Sequence, residues 1–505
     1  MPDAAPTASA DTGPDTEVAI IGAGFSGIGT AIALDESGIR DYLILEAGDD
    51  FGGVWHWNTY PGVAVDIPSF SYQFSYEQRP DWSRSYAPGR ELKSYAVHCA
   101  DKYGLRGRTR FGTRIEEASW DEANDCWRLR VAGGPEITAR YLVNGSGPLN
   151  LPRLPDIVGV DSFAGTTMHT ARWDHAAKLE GKRIAVIGTG ASAVQVIPEI
   201  APIASHLTVF QRTPIWCFPK PDVPLSGALK ASMRLPGVKS ALRAASQVFV
   251  EVTFPLAAQY AGTLPMLPER SAAFGRAWLR SQVKDRDVRR KLTPDYAIGC
   301  KRPSFHNGYL ATFNRANVLL ETTGISEITA DGVRTKDGRL HEFDVIIFAT
   351  GFHVADGEGS YAIRGADGTT MSEFFATHRS QSYQGITLPN FPNFFNIIGP
   401  YGYNGGSFFA LIEIQLQHIL RCMKEARRRG ATRVEVTEDA NRRYFEEMLS
   451  RRHTQIFWQD SCARANSYYF DAHGDVPLRR ASTLQMIWEA RSFPLGDYRF
   501  EGATR

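Results

Sequence analysis

Glu17-Val-Ala-Ile-Ile-Gly22-Ala-Gly24-Phe-Ser-Gly27 is the stretch that decides the fold of this chain. A short apolar strand runs directly into the pattern G-x-G-x-x-G, and residues 28–34 continue with apolar side chains at helical spacing. Strand, glycine turn and helix in this order predict a βαβ unit. The glycines let the backbone approach a pyrophosphate, which the N–H groups of a helix N-terminus favour. The sequence therefore predicts an α/β fold with a dinucleotide site at Gly22, Gly24, Ser26 and Gly27.

A carboxylate follows the next predicted strand, Tyr42–Leu45. This residue, Glu46, lies 19 positions after Gly27, a distance at which an acid can hydrogen-bond a ribose hydroxyl. The alternative is a glycine-rich turn that binds no ligand. The strand, the helix and the acid together favour the dinucleotide site.

A second glycine pattern predicts a second dinucleotide site. Residues 182–187 lead into Gly188-Thr-Gly190-Ala-Ser-Ala193, where alanine replaces the third glycine, a change that the motif tolerates. The following strand ends near Arg212, at the position where an NAD site would carry an acid. A guanidinium can bind a 2′-phosphate with two hydrogen bonds, whereas a carboxylate would repel it. The sequence therefore predicts NADPH and not NADH, the alternative being a solvated surface arginine at position 212.

Length and composition limit the class of protein. A chain of 505 residues exceeds one hydrophobic core and predicts two or three domains. Hydrophobic residues form 43% of it, charged residues 22%, and the net charge is +1. These values are typical of a globular protein and suggest neither nucleic acid nor an anionic membrane as a partner. No uncharged apolar stretch reaches about 18 residues, so no membrane span is expected.

The six cysteines form no C-x-x-C pair. This spacing argues against a dithiol redox centre and against a zinc site, and no metal is expected. It also predicts free thiols in a reducing compartment, so the expected location is the cytoplasm. Nothing in the sequence fixes the oligomeric state, and a monomer is the expectation.

Two aromatic patterns accompany the glycine turns. Gly52-Gly53-Val-Trp55-His-Trp57-Asn-Thr-Tyr60-Pro61-Gly62-Val-Ala-Val-Asp66 follows the first turn, and Phe163-Ala-Gly165-Thr-Thr-Met-His169-Thr-Ala-Arg-Trp173-Asp174 precedes the second. Taken alone, they also fit an aromatic core cluster and a buried turn with a hydrogen-bonded histidine. Because GGxWxxxxYPGxxxD and FxGxxxHxxxWD occur together with both glycine turns, the chain resembles the flavin-dependent Baeyer–Villiger monooxygenases.

The resemblance implies where each cofactor would bind. FAD would contact the first glycine turn, Glu46, and the residues Gly53, Val54, Trp55, His56, Trp57, Asp66 and Tyr72. NADP would contact Gly188, Thr189, Gly190, Ser192, Ala193, Gln195, Arg212, Thr213 and Lys301. The fingerprint residues Phe163, Gly165, His169, Trp173 and Asp174 would join the two sites, with His169 and Trp173 coupling domain motion to the chemistry.

The resemblance also implies a catalytic pair, Arg302 and Asp66. Arg302 belongs to a Lys-Arg dipeptide that precedes Pro303, at the point where the chain returns to the second dinucleotide domain. The alternative for this arginine is a salt bridge to a carboxylate. The two interpretations overlap, because Asp66 is itself the expected partner.

The reaction implied is the conversion of a ketone to an ester or lactone. NADPH would reduce FAD, and reduced FAD would take up molecular oxygen as a flavin 4a-peroxide that attacks the ketone. One alternative is a flavin monooxygenase that oxidises nitrogen or sulfur, but its fingerprint normally carries Tyr where this chain has Trp173-Asp174. A pyridine-nucleotide disulfide reductase and a non-catalytic flavin sensor are the others. The sequence does not identify the ketone as linear, cyclic, aryl or steroid.

The predicted architecture is two Rossmann-like dinucleotide-binding domains with a helical insert in the NADP domain. A disordered tail is expected at residues 1–15. The FAD domain would comprise residues 16–150 and 386–505, the NADP domain residues 151–217 and 301–385, and the insert residues 218–300. Prolines and glycines after residue 218, followed by helix-compatible stretches, indicate the insert.

Overall fold

A mixed sheet and a parallel sheet dominate the structure, a computed structural model that describes residues 13–259, 266–354, 360–465, 467 and 469–502. The strands, in chain order, are β1 (Thr16–Ile21), β2 (Tyr42–Leu45), β3 (Thr109–Arg110), β4 (Ile115–Asp121), β5 (Cys126–Val131), β6 (Ile137–Asn144), β7 (Thr166–His169), β8 (Arg183–Ile187), β9 (His206–Phe210), β10 (Cys217–Phe218), β11 (Ser304–Phe305), β12 (Val318–Glu321), β13 (Ile325–Thr329), β14 (Gly332–Thr335), β15 (Leu340–Glu342), β16 (Val345–Phe348), β17 (Ala362–Arg364), β18 (Phe394–Asn396), β19 (Arg433–Val436) and β20 (Tyr498–Glu501).

Helices cover these sheets and form the insert. In chain order they are α1 (Phe25–Glu36), α2 (Val54–Trp57), α3 (Gly89–Lys102), α4 (Ala191–Ile200), α5 (Gly227–Ser232), α6 (Val238–Glu251), α7 (Ala257–Gln259), α8 (Met266–Gln282), α9 (Arg286–Leu292), α10 (Tyr309–Thr312), α11 (Met371–His378), α12 (Phe408–Arg429), α13 (Glu438–Arg451) and α14 (Thr483–Ser492). A π-helical turn, Val252–Leu256, joins α6 to α7. Among the described residues, no helix has the length and apolar character needed to cross a membrane.

The first sheet has eight strands in the order β17-β4-β5-β6-β1-β2-β3, with β18 paired to β6. β1 lies between β2 and β6 and is parallel to both. Its residues Val18, Ala19 and Ile20 are fully buried, as central strands of parallel sheets are when both faces are covered. The first glycine turn therefore begins at the carboxyl end of a central strand, where ligands bind in such sheets.

The second sheet has five parallel strands in the order β12-β9-β8-β16-β7. Its strand β8 leads directly into Gly188, and β9 ends one residue before Gln211. A three-stranded antiparallel sheet, β13-β14-β15, follows β12 in the chain. Both predicted glycine turns thus follow a buried parallel strand, and the predicted α/β fold with two Rossmann-like sheets is confirmed.

The two ends of the helical insert lie side by side. β10 and β11 pair in parallel, with Cys217 opposite Ser304 and Phe218 opposite Phe305. These two strands bracket α5 to α9 in the chain. The return to the first sheet comes earlier than residue 386, since β17 already pairs with β4. A strand of three residues has no periodicity by which the sequence could reveal it.

The N-terminal segment enters the first sheet almost immediately. Residues 1–12 of the predicted tail lie outside the described residues. Asp15, which we had assigned to the tail, accepts hydrogen bonds from the backbone and hydroxyl of Thr138 in β6. Asp15 is therefore bound to the first sheet. At the other end, α12 packs on α1, where the rings of Phe409 and Phe25 are 4.4 Å apart.

Cys300 and Cys462 form a disulfide, with their Cα atoms 4.9 Å apart. The expectation that all cysteines are free thiols is therefore wrong for this pair. Spacing could not reveal the bond, because the two residues meet only when the C-terminal segment folds back over the end of the insert. The remaining cysteines, all buried, are free: Cys99, Cys126, Cys217 and Cys422.

We expect four titratable thiols in the denatured, unreduced protein and six after reduction. A thiol-reactive chromophore in guanidinium measures both numbers. Cys462→Ser should lower the free energy of unfolding by about 2–4 kcal/mol, because the long loop between the two cysteines is no longer closed. Reduced wild-type protein is the control for this variant. Six reactive thiols before reduction would contradict the disulfide.

Candidate active site

A cavity of about 1860 Å³ opens at the carboxyl ends of β1 and β8, the strands that lead into the two glycine turns. From the first half of the predicted site, its lining includes Gly22, Gly24, Ser26, Glu46, Gly53, Val54, Trp55, Trp57, Asp66 and Tyr72. From the second half, it includes Gly188, Thr189, Gly190, Ser192, Gln195, Arg212, Thr213, Lys301 and Arg302. Three predicted cofactor residues do not line it: Gly27, His56 and Ala193.

The first glycine turn is shaped by close backbone packing. Gly22 has a φ of +96°, and a Cβ there would lie 2.9 Å from the carbonyl oxygen of Gly145. A Cβ on Gly27 would lie 1.9 Å from the carbonyl oxygen of Gly22, so only glycine lets α1 pack onto the turn. Gly27 therefore supports the site from behind and does not face a ligand.

Glu46 is fixed at the end of β2 by backbone hydrogen bonds. One carboxylate oxygen accepts the N–H of Ala23 at 2.7 Å, and the other accepts the N–H of Gly48 at 2.7 Å. A carboxylate offers about four acceptor positions, so about two remain on the cavity side. The hydroxyl pair of a ribose can use them, and the residues present therefore fit a dinucleotide at this turn.

Aromatic side chains continue the wall beyond the first turn. The rings of Trp55 and Tyr72 lie 5.8 Å apart in an edge-to-face arrangement. Burial raises the pKa of Tyr72 to about 12, so its hydroxyl stays protonated. His56 turns away from the cavity: its Nδ1 lies 3.1 Å from the ammonium of Lys93, and its Nε2 lies 3.1 Å from the carboxylate of Asp49. This histidine supports the loop and does not face the ligand space.

The predicted catalytic pair meets at the cavity wall. Nη2 of Arg302 lies 4.0 Å from Oδ2 of Asp66, and Nη1 donates a hydrogen bond to the hydroxyl of Tyr403 at 3.5 Å. The side chain of Arg302 is 28% exposed, so the guanidinium reaches the cavity while its stem is covered. Preorganised positive charge in a shielded site is suited to stabilising negative charge that develops during a reaction.

A second group of cations lies at the same cavity. Burial, with a smaller contribution from the charge of Arg212, lowers the pKa of Lys301 to about 8. Lys336, just after β14, also lines the cavity. The sequence analysis missed this lysine, because a lysine in a tight turn resembles any surface lysine. Burial and the neighbouring charge of Arg212 destabilise the protonated form of Lys301. A bound anion such as a phosphate stabilises both cations.

None of the five fingerprint residues, Phe163, Gly165, His169, Trp173 and Asp174, lines the cavity. His169 ends β7, where it pairs with Phe348 of β16, and its Nδ1 accepts the N–H of Ala171 at 3.0 Å. Burial lowers the pKa of His169 to about 4, so the ring is neutral. Trp173 packs against the core of the second sheet. The fingerprint residues therefore hold the turn that carries Arg172 in place.

Arg172 connects this turn to the first aromatic pattern. Its guanidinium lies 4.3 Å from the centre of the Trp57 ring, and it donates a hydrogen bond to the carbonyl of Asn150 at 3.2 Å. Arg172 and Trp57 both line the cavity. Sequence reasoning missed Arg172, because it occupies an unspecified position of the fingerprint.

Gln195 joins the two halves of the site by a different route. The hydroxyl of Tyr60 donates to Oε1 of Gln195 at 2.8 Å, and Nε2 of Gln195 donates to the carbonyl of Ala64 at 2.9 Å. Gln195 is only 5% exposed. Gln195, which the sequence analysis assigned to NADP, lines the cavity, and its amide binds the segment that leads to Asp66.

The remaining wall comes from the C-terminal part of the chain. It includes the aromatic residues Tyr403, Phe408, Phe457, Trp458 and Phe470, together with aliphatic and polar residues such as Ile412, Gln459, Cys462, Ser467 and Asp471. No motif marks these residues, because an apolar lining needs bulk and shape and no fixed spacing. Residues 466 and 468, in the same part of the chain, lie outside the described residues.

Comparison with known proteins places the chain in a family. Residues 19–235 match the family described as pyridine nucleotide-disulphide oxidoreductase. A Baeyer–Villiger monooxygenase of Streptomyces coelicolor is 35% identical over 484 residues, which cover 95% of this chain and 92% of that protein. Another from Pseudomonas aeruginosa is 38% identical over 455 residues, or 90% of this chain and 85% of that protein.

A solved structure agrees with these relatives. The crystal structure of OTEMO in complex with FAD and NADP superposes with a TM-score of 0.86 and 29% identity, covering 97% of this chain and all of that one. The resemblance seen in the sequence motifs is therefore confirmed along nearly the whole chain. This chain belongs to the Baeyer–Villiger monooxygenases.

Proposed function

We propose that this enzyme binds FAD and NADPH and uses molecular oxygen to convert a ketone into an ester or lactone. The observation that carries the proposal is the Arg302–Asp66 pair at 4.0 Å, in a cavity lined by both glycine turns. The crystallised OTEMO carries both FAD and NADP on a fold that superposes with this chain. The substrates in this proposal are a ketone and molecular oxygen.

FAD would occupy the first glycine turn, within residues 16–150 and 386–505. The free acceptor positions of Glu46 fit the ribose, and the Gly22–Gly27 turn leaves room for a pyrophosphate at the start of α1. Trp55 and Tyr72 would flank the flavin rings. Glu46, which would bind the ribose, lines the same cavity as Trp55 and Tyr72, which would flank the flavin rings.

NADPH would occupy the second glycine turn, within residues 151–217 and 301–385. Arg212 and Lys301 would hold the 2′-phosphate, since both line the cavity and their charges interact. A guanidinium supplies a planar pair of donors, and the ammonium adds a point charge. Gln195 would act through the Tyr60–Ala64 segment and not through the coenzyme.

Bound FAD would accept hydride from NADPH and activate molecular oxygen for transfer to the ketone. The residues of this chain supply the surroundings for that chemistry. Arg302 would stabilise negative charge on the reacting oxygen atoms, and Asp66 would hold the guanidinium in place between turnovers. The aromatic wall would exclude water, which protects reactive oxygen species from side reactions.

Arg212→Ala should weaken NADPH binding and leave NADH binding nearly unchanged. Loss of a charge-assisted contact to phosphate corresponds to about a ten- to hundred-fold increase in Kd. Fluorescence titration of both coenzymes measures the difference. Arg334→Ala, which removes an arginine that pairs with Glu327 away from the cavity, is the matched control. An unchanged preference for NADPH would remove Arg212 from the coenzyme site.

The affinity for NADPH should fall as the pH rises through about 8, because Lys301 then loses its proton in the free enzyme. Above that pH, the Kd should increase by up to about ten-fold per pH unit. The second pKa of the phosphate, about 6, lies below this range. Lys301→Arg should abolish the pH dependence, since its guanidinium stays charged. A NADH titration that shows the same pH dependence would contradict the assignment.

Arg302→Ala should still reduce FAD with NADPH but form ester about a hundred- to a thousand-fold more slowly. Hydride transfer places little new charge near Arg302, whereas oxygen transfer does. Stopped-flow absorbance follows reduction, chromatography follows the ester, and a peroxidase assay detects hydrogen peroxide from uncoupled turnover. Arg276→Ala, an exposed position on α8, is the control. Ester formation near the wild-type rate would exclude Arg302 from the mechanism.

A further inference from the structure

Tyr403 places a hydroxyl group in the cavity wall. It lies beside Phe408, with ring centres 5.2 Å apart, and its hydroxyl accepts the hydrogen bond from Nη1 of Arg302. Phe457, Trp458 and Phe470 line the same cavity. The hydroxyl of Tyr403 thus stands next to the guanidinium, where a substrate with an apolar body would place its polar atom.

The backbone holds Tyr403 firmly in this position. The N–H of Tyr401 donates to the carbonyl of Pro477 at 2.7 Å, and the carbonyl of Tyr403 accepts the N–H of Arg479 at 2.8 Å. Between them, the carbonyl of Gly402 accepts a hydrogen bond from the side chain of Gln415 at 3.1 Å. Three successive residues are therefore anchored, and the phenol ring is directed by a fixed loop.

The hydrogen-bonding capacity of Tyr403 is only partly used. A guanidinium has donors and no acceptor, so the hydroxyl must act as acceptor towards Arg302 and keeps its own proton for another group. Among the described residues, no acceptor for that proton lies within hydrogen-bonding distance of the Tyr403 hydroxyl. Burial raises the pKa of Tyr403, against the opposing effect of Arg302, so the proton is retained.

We propose that Tyr403 donates a hydrogen bond to the carbonyl oxygen of the ketone and, with Arg302, fixes that oxygen in the cavity. A carbonyl oxygen accepts two hydrogen bonds, and the two donor groups lie 3.5 Å apart on the same wall. The ring of Phe408 beside Tyr403 offers an apolar surface to the carbon body of the ketone. This inference rests on the proposed function.

Tyr403→Phe tests the inference, because it removes the hydroxyl and keeps the ring on Phe408. We expect the KM for cyclohexanone to rise about five- to ten-fold, and hydrogen peroxide to increase at the expense of ester. The rate of flavin reduction by NADPH without ketone should stay unchanged. Tyr401→Phe alters a neighbouring tyrosine of the same loop that does not line the cavity, and it should leave all three quantities unchanged.

A binding experiment separates a direct contact from an effect through Arg302. Ligand-observed NMR titrations compare cyclohexanone with methylenecyclohexane, in which a CH₂ group replaces the carbonyl oxygen. Wild type should prefer the ketone about five- to ten-fold, and Tyr403→Phe should lose that preference without weaker binding of methylenecyclohexane. No ketone preference in wild type, or a preference that survives in Tyr403→Phe, overturns the inference. Wild type that oxidises NADPH but forms no ester from any ketone overturns the proposed function instead.

Discussion

The buried amide of Gln195 is the contact on which the cavity depends. It extends from α4 of the second sheet and is satisfied by Tyr60 and Ala64, two residues before Asp66. A buried amide without partners costs about 1–3 kcal/mol, so separating the two surfaces is unfavourable unless water replaces these bonds. Because the same short segment carries Asp66, this contact also sets how far the carboxylate lies from Arg302.

Lys301 and Arg302 are neighbours in the chain, but their charges interact with different groups. Pro303 restricts residue 302 to extended backbone, and successive side chains of an extended segment point in opposite directions. Lys301 accordingly interacts with Arg212, while Arg302 interacts with Asp66 and Tyr403. The two interactions are therefore made by neighbouring residues of one short segment.

The parts of the site that follow from local backbone requirements could be predicted. The first turn needs Gly22 and Gly27 for steric reasons that act within a few residues, and Glu46 follows its strand directly. The parts that depend on distant segments could not be predicted. The Cys300–Cys462 bond and the position of Tyr403 arise only when the C-terminal chain folds back over the insert.

The same distinction applies to single residues within the motifs. His56 lies within a motif that otherwise lines the cavity, but the charges of Lys93 and Asp49 hold its ring on the opposite side. Gln195 has the spacing of a coenzyme contact, yet its amide is used for packing between the sheets. In both residues the motif fixes where the backbone runs, whereas the direction of the side chain depends on partners that the motif does not contain.

The Cys300–Cys462 disulfide turns residues 300–462 into a covalent ring. One closing residue directly precedes Lys301, and the other belongs to the aromatic wall. The ring runs through β16 of the second sheet and β17 and β18 of the first. When the bond is formed, the segment that leads to Lys301 is covalently tied to the part of the cavity lining that carries Cys462. When the same chain is kept reduced, only non-covalent contacts hold these two segments together, so the redox history of a preparation changes how the cavity is held closed at this point.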